Sequence, residues 1–165
     1  MKSFQTNNEL PKPAGSLKGQ RLRSTAFALL AKREHSKQEL KSKLILYGAC
    51  PEELEPLLAE LTGNDYQNDE RMAGMVVRAN MRKGRGPARI QQELKKHHIE
   101  AELAEADLDE INWLQQAMEL RMRKFGEELP TEQKEKARQV RFLQYRGFNL
   151  DTCFKAITKN SLDDE

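Results

Sequence analysis

The stretch SKQELKSKLILYGA, residues 36–49, decides the fold because its pattern of apolar and turn residues occurs three times. Its counterparts are GPARIQQELKKHHI, residues 86–99, and EKARQVRFLQYRGF, residues 135–148. The three segments align on leucines that lie 50 and 49 residues apart, namely Leu44, Leu94 and Leu143. A period of this size, with only helical patterns inside it, predicts stacked helical units that are each too small to bury their own apolar face.

Local signals mark where several helices begin. Ser36 and Glu39 have the spacing of a capping box, and Pro51 and Pro87 suit the first turn of a helix. Thr131 is the N-cap expected for a helix that runs to Gly147. Because no stretch alternates β-branched and polar residues, no strand is expected. The sequence therefore predicts an all-α protein.

Helical spacing of apolar residues predicts which positions are buried. In the second repeat these are Met72, Met75, Val76 and Ala79, followed by a third helix with Leu103, Ala106 and Ile111. In the third repeat they are Ala137, Val140 and Leu143, followed by a closing helix with Cys153, Phe154 and Ile157. Composition and period together divide the chain into a disordered N-terminal tail, three helical repeats and an acidic tail, at residues 1–20, 21–67, 68–110, 111–158 and 159–165.

Charge is segregated along the chain. Charged residues make up 33% of the sequence and the net charge is only +2, with a mean hydropathy of −0.82 that favours a thin or elongated molecule over one thick core. Residues 78–98 contain seven Lys or Arg and one Glu, whereas residues 99–112 contain six acids and no Lys or Arg. Residues 121–146 are basic again, with eight Lys or Arg against four Glu.

The predicted helix 131–146 carries a stripe of cations and one aromatic residue at helical spacing: Lys134, Arg138, Arg141 and Tyr145. Such a row can neutralise successive phosphates, with the tyrosine ring available for stacking on a base or for a hydrogen bond. A charged face exposed only to solvent is the ordinary alternative, but the excess of cations also occurs in the second repeat. The recurrence favours a functional surface.

The loop RKGRGPAR, residues 82–89, has four cations at the start of a predicted helix. Its backbone amides, with Arg85 and Arg89, are candidates to hold a phosphate or an acidic side chain of a partner. An exposed inter-helix turn is the alternative. The loop is not a P-loop, since it lacks the G-K-[ST] ending and a preceding strand.

No catalytic or metal-binding motif is visible. His97 and His98 are adjacent, so on a helix they point about 100° apart and cannot chelate one metal. Cys50 and Cys153 lack partners at ligand spacing. No cofactor is expected, and no enzymatic activity. Without an apolar N-terminal run or about 18 consecutive apolar residues, a soluble, cytoplasmic protein is expected.

Several motifs resemble those of the RecX regulatory proteins of bacteria. They are AFALLAKREHSKQEL at 26–40, NDER at 68–71, RKGRGPARIQQEL at 82–94, KFGEELP at 124–130 and RFLQYRGF at 141–148. The resemblance implies three tandem three-helix repeats in a curved, extended molecule. It also implies a negative modulator that lodges in the groove of the RecA filament on single-stranded DNA and lowers ATP hydrolysis, strand exchange and coprotease activity.

The predicted partners are therefore the RecA filament and single-stranded DNA, either directly or within the filament, with no membrane and a monomeric state. The candidate contact residues are Arg78, Arg82, Lys83, Arg85, Arg89, Lys95, Lys96, Lys134, Arg138, Arg141 and Tyr145. The alternative is a stand-alone nucleic-acid-binding helical repeat protein.

Overall fold

The structure, a computed structural model, describes residues 10–162. Within them it is all helical, apart from one isolated parallel bridge between Leu17 and Ala49. The helices are α1 Gly19–Lys32, α2 Lys37–Leu46, α3 Pro51–Gly63, α4 Asp69–Arg82, α5 Pro87–Lys96, a 3-10 turn Ala101–Ala104, α6 Glu105–Asp109, α7 Trp113–Phe125, α8 Gln133–Tyr145 and α9 Leu150–Ala156. Over that range, none of these helices has the length and apolar character that crossing a membrane requires.

The described residues form two compact units, the first ending at Met72 and the second beginning at Ala73. In the first unit, α2 packs against α1 and α3 around buried leucines. The predicted capping box is present: Glu39 N–H donates to Ser36 Oγ at 3.1 Å, and Ser36 N–H donates to Glu39 Oε1 at 3.3 Å. Pro51 begins α3, as its spacing predicts. Leu40 and Leu44 are 0% exposed, so this capped helix supplies the centre of the first core.

The expected disordered tail is wrong for residues 12–20. Lys12 N–H donates to the Leu46 carbonyl, and Leu17 N–H donates to the Gly48 carbonyl. Leu17 is buried in the first core, and α1 already begins at Gly19. The polar composition concealed one buried leucine and a short extended segment that pairs with the turn after α2. Residues 1–9 lie outside the described residues.

A buried histidine joins α1 to α2. His35 is 1% exposed, and its Nδ1 lies 2.9 Å from the Arg33 carbonyl oxygen, while its Nε2 is buried without a hydrogen-bond partner. Burial, followed by the charge of Arg33, lowers the pKa of His35. The imidazole is therefore held in its neutral form, and protonation would place an unpaired charge in the unit.

In the second unit, α7, α8 and α9 pack on each other around a core that includes Met118, Leu143 and Cys153. The Trp113 and Phe148 rings meet edge to face at a centroid distance of 6.3 Å. Burial raises the pKa of the Cys153 thiol to about 11. The free thiol therefore behaves as a small apolar core group.

Several predicted positions in the second unit are wrong. Met75 is 43% exposed, and Asn80 is buried on α4 instead. The third helix of the second repeat divides into the 3-10 turn and the short α6, with Ala106 exposed. In the third repeat, α8 begins after Glu132 rather than after Thr131, and neither a side-chain cap nor a capping box is present there. Ala137 and Phe154 are exposed.

Arg121 is the largest fully buried side chain in the described residues. Its Nη1 donates to the carbonyl oxygens of Gly126 and Glu128 at 3.3 and 3.4 Å, and its Nη2 donates to Asn160 Oδ1. Burial lowers the pKa of this guanidinium. The segment 159–165 is expected to be an acidic tail, and the hydrogen bond to Asn160 holds its start against α7. Residues 163–165 lie outside the described residues.

Candidate functional site

All eleven candidate contact residues lie in the second unit, which begins at Ala73. We call this set the basic surface. Nine of them are exposed, and Arg85 and Arg89 are half-buried. Within the described part of the chain, carboxylates form ion pairs with Arg85 and Arg138 alone among the eleven. The basic surface is thus largely left uncompensated by the protein's own acids.

The loop between α4 and α5 is fastened to the end of α8. Gly86 N–H donates to the Arg146 carbonyl at 2.7 Å, and Ala88 N–H donates to the Gly147 carbonyl at 3.0 Å. The two carbonyls lie at the C-terminus of α8 and the two amides at the N-terminus of α5, and the partial charges of these helix ends attract each other. The expectation that the loop amides bind a phosphate is therefore wrong for Gly86 and Ala88, because both already have acceptors.

The same junction brings Arg89 to Tyr145. The Arg89 guanidinium carbon lies 5.1 Å from the centroid of the Tyr145 ring. Gly147, at φ +103°, lets the two meet, since a Cβ there would lie 2.5 Å from Arg89 Cγ. Two residues predicted from separate repeats are thereby placed side by side.

The stripe on α8 is exposed as predicted, although its charges are not equally free. Lys134 and Arg141 have no ion pair among residues 10–162. Arg138 Nη1 lies 3.3 Å from Glu135 Oε2, and its guanidinium carbon lies 5.2 Å from the centroid of the Phe125 ring. A hydrogen bond from Gln139, followed by the interaction with Arg138, lowers the pKa of Glu135. Arg138 is therefore the most compensated cation of the stripe.

The remaining candidates are distributed along α4 and α5. Arg85 Nη1 donates to Asn80 Oδ1 at 2.8 Å and lies 3.9 Å from Glu93 Oε1. Arg78 lies over Gly74, where Asp107 also approaches. Arg82 and Lys83 are exposed where α4 ends. Two exposed lysines lie at the opposite end of α5 from the loop, at Lys95 and Lys96.

Three further cations, which are not among the predicted contact residues, adjoin the basic surface. Lys124 Nζ and the Arg146 guanidinium carbon lie 5.8 and 5.7 Å from the centroid of the Phe142 ring. Arg123 Nη2 would lie 3.9 Å from a Cβ at Gly84, beside the loop. The motifs KFG and YRGF pair these cations with aromatic residues and were the available signal. Contact with rings orders the cations, which lowers the entropy cost of binding an anion.

An acidic cleft of about 390 Å³ opens between α5, α6 and α7 in the same unit. It is lined by Pro87, Gln91, Ala101, Glu102, Glu105, Leu108, Asp109 and Trp113. In the described residues no three His, Cys, Asp or Glu side chains are grouped as metal ligands would be. The exposed cations of the basic surface are groups that can pair with a polyanion.

The fold defines the class to which this protein belongs, the all-helical proteins built from small helical domains. Comparisons with known proteins specify the class further. The family model for the second three-helix domain of RecX matches residues 68–108, and that for the third matches residues 110–157. The chain is 47% identical to the regulatory protein RecX of Acinetobacter baylyi, over 86% of this chain and 89% of the relative. This chain belongs to the RecX family.

Other relatives and solved structures agree. The regulatory protein RecX of Halorhodospira halophila is 37% identical over 87% of this chain and 91% of its own length. The crystal structure of RecX from Lactobacillus salivarius has a TM-score of 0.75 at 19% identity, covering 86% of this chain and 95% of that one. A second RecX crystal structure has a TM-score of 0.63 at 21% identity and covers 81% and 70%. The all-α fold with tandem three-helix domains is confirmed.

Proposed function

We propose that this protein is a negative regulator of the RecA recombinase that acts by binding rather than by catalysis. It lodges in the groove of the RecA filament on single-stranded DNA and inhibits ATP hydrolysis, strand exchange and coprotease activity. Membership of a family of regulatory proteins supports a regulatory role. The observation that carries the proposal is the basic surface of the second unit, ordered by aromatic rings and mostly free of internal ion pairs.

The electrostatics of the second unit support this mode of binding. A filament groove presents DNA phosphates together with protein surface, and a row of cations is attracted to the phosphates while it releases their counterions. The acidic stretch that includes Glu102, Glu105 and Asp109 would be repelled by the same phosphates. The second unit therefore binds with its basic surface toward the groove. A protein seated there hinders the subunit movements that accompany ATP turnover.

The same proposal includes the partners and the organisation of the chain. RecA filament and single-stranded DNA are the partners, and the protein acts as a cytoplasmic monomer. Three repeats, at residues 21–67, 68–110 and 111–158, make up the chain, and the second and third carry the surface that contacts the filament. Binding to bare nucleic acid alone is the competing function, and it requires tight binding to single strands in the absence of RecA.

The deciding experiment measures RecA ATPase on single-stranded DNA with and without this protein. A triple charge reversal, Arg82→Glu, Lys83→Glu and Arg141→Glu, is expected to raise the concentration needed for half inhibition by roughly tenfold or more. It also lowers the slope of log affinity against log salt, because phosphate contacts are lost. Helicity by circular dichroism should be unchanged, since all three side chains are exposed.

A control with the same change in net charge is available in the first unit. Lys12, Lys18 and Lys32 are exposed and lie outside the basic surface. Their reversal to Glu should leave half inhibition within about twofold of the wild type, because these lysines are not part of the surface that meets the phosphates. Undiminished inhibition by the first variant would reject the assignment of the surface. Binding to bare strands as tight as binding to RecA-coated strands would favour the competing function.

A further inference from the structure

Tyr145 presents an aromatic face that the fold does not use. Its side chain is 73% exposed, more than any other aromatic residue among those described. It lies at the last position of α8, where the chain turns through Gly147 toward α9. The Arg89 guanidinium covers one side of the ring at 5.1 Å from the centroid, so the other side faces solvent.

The arginine that covers the ring is held in place by packing. Its aliphatic stem contacts the Gly147 backbone, and its Nε is buried. Two backbone hydrogen bonds, from Gly86 to Arg146 and from Ala88 to Gly147, hold the start of α5 against the end of α8. The ring and its cation therefore form a preorganised pair, which reduces the conformational entropy lost when a ligand binds.

The surroundings of the open ring face are cationic. Arg141 precedes Tyr145 by four residues on α8 and lies on the same side of the helix. A flat ligand with a nearby negative charge is complementary to this arrangement, and a nucleotide has both features, because its base stacks on a ring while its phosphate meets a cation. An acidic protein surface would use the cations but would leave the ring face without a partner.

We propose that Tyr145 stacks on an unpaired base of single-stranded DNA, with Arg89 supporting the far side of the ring and Arg141 meeting an adjoining phosphate. This inference rests on the proposed function and deepens it, because it has this chain touching the DNA itself as well as the protein that coats it. Stacking on an aromatic ring is tolerant of sequence, as every base has a flat face. The contact therefore suits a regulator that acts on any sequence.

The test measures by fluorescence anisotropy the affinity of the full chain, without RecA, for two labelled strands. The strands are oligo(dT) and a strand of abasic nucleotides of equal length, both at one salt concentration. Tyr145→Ala is expected to weaken binding of oligo(dT) by roughly 5- to 150-fold, the range of one lost base stack. On the abasic strand the same variant should bind like the wild type, since the phosphates are unchanged. Tyr145→Phe should restore the preference for oligo(dT).

Phe154→Ala is the matched control. Phe154 is 52% exposed in the same repeat, and no cation stacks on it within the described residues, so its loss should alter binding to neither strand. An equal loss on both strands for Tyr145→Ala, no loss on either, or no measurable binding of oligo(dT) by the wild type would overturn the inference. Inhibition of RecA ATPase, measured in parallel, decides the proposed function independently.

Discussion

Replacing Gly86 with alanine tests the junction that organises the basic surface. A Cβ at this position would lie 2.5 Å from Gly147 C, 2.6 Å from Gly147 O and 2.7 Å from Phe148 N. Carbon atoms in contact normally lie about 3.5–4.0 Å apart, so the two backbones must separate by roughly 1 Å. All three neighbours are backbone atoms, and no side-chain rotation can relieve the contact. Gly86 itself has φ −88° and ψ 179°, which alanine adopts without strain, so the effect is purely steric.

The cost follows from that separation. The hydrogen bonds from Gly86 to Arg146 at 2.7 Å and from Ala88 to Gly147 at 3.0 Å would lengthen beyond bonding distance. Two lost hydrogen bonds and overpacking together predict that the free energy of unfolding falls by about 2–5 kcal/mol. That is a large part of the stability of an ordinary domain, which is about 5–15 kcal/mol.

Urea unfolding followed by tryptophan fluorescence is the appropriate assay. Trp113 is the only tryptophan in the sequence, and its ring contacts Phe148 beside the altered contact, so the signal reports on the second unit. Gly63→Ala is the control, and its unfolding is followed by far-UV circular dichroism because it lies in the first unit. Nothing lies within 4 Å of its would-be Cβ at the end of α3, and alanine there should be neutral or stabilising by up to about 1 kcal/mol. If Gly86→Ala unfolds within about 0.5 kcal/mol of the wild type, the junction does not have the geometry described.

Two buried polar residues give further predictions. Because burial lowers the pKa of His35, the unfolded chain takes up its proton more readily, and stability is lost as the pH falls below the unfolded value of 6.5. In urea unfolding followed by far-UV circular dichroism above and below that pH, His35→Gln should show a smaller loss than the wild type; an identical loss would contradict a neutral buried imidazole. Arg121→Ala should destabilise the second unit by about 2–5 kcal/mol, since it leaves a cavity and unpaired carbonyl oxygens. Arg121→Met fills most of that volume and removes a desolvated charge. Its unfolding midpoint, measured by Trp113 fluorescence, should therefore lie between those of Arg121→Ala and the wild type. A midpoint equal to that of Arg121→Ala would show that the hydrogen bonds matter more than the volume.

Features that depend on neighbouring residues in the chain were predictable from the sequence. The capping box at Ser36 and the first-turn prolines Pro51 and Pro87 are confirmed. Each of these signals acts within one helical turn, so its physics is contained in a few consecutive residues. The exposure of Lys134 and Tyr145 follows from helical spacing in the same way.

Positions whose burial depends on distant partners were predicted less well. The polar neighbours of Leu17 predict a disordered tail, and only the packing of Leu17 on the first core buries it. Met75 fits the helical period of α4, yet Asn80 is buried there, because Asn80 has the Val76 carbonyl and the Arg85 guanidinium as hydrogen-bond partners. Whether a polar side chain can be buried depends on such partners, which a periodic pattern does not contain.

For the basic surface, sequence alone determined that the cations are concentrated in the second and third repeats and that one stripe of α8 faces outward. Only the tertiary structure decided that Arg89 meets Tyr145, that the amides of Gly86 and Ala88 are already bonded, and that Arg121, within a basic stretch of the sequence, is buried and unavailable. The physical reason is the range of the interactions. Helical periodicity and capping act over a few residues, whereas the junction of α5 with α8 joins segments about sixty residues apart in the chain, through contacts that exist only after folding.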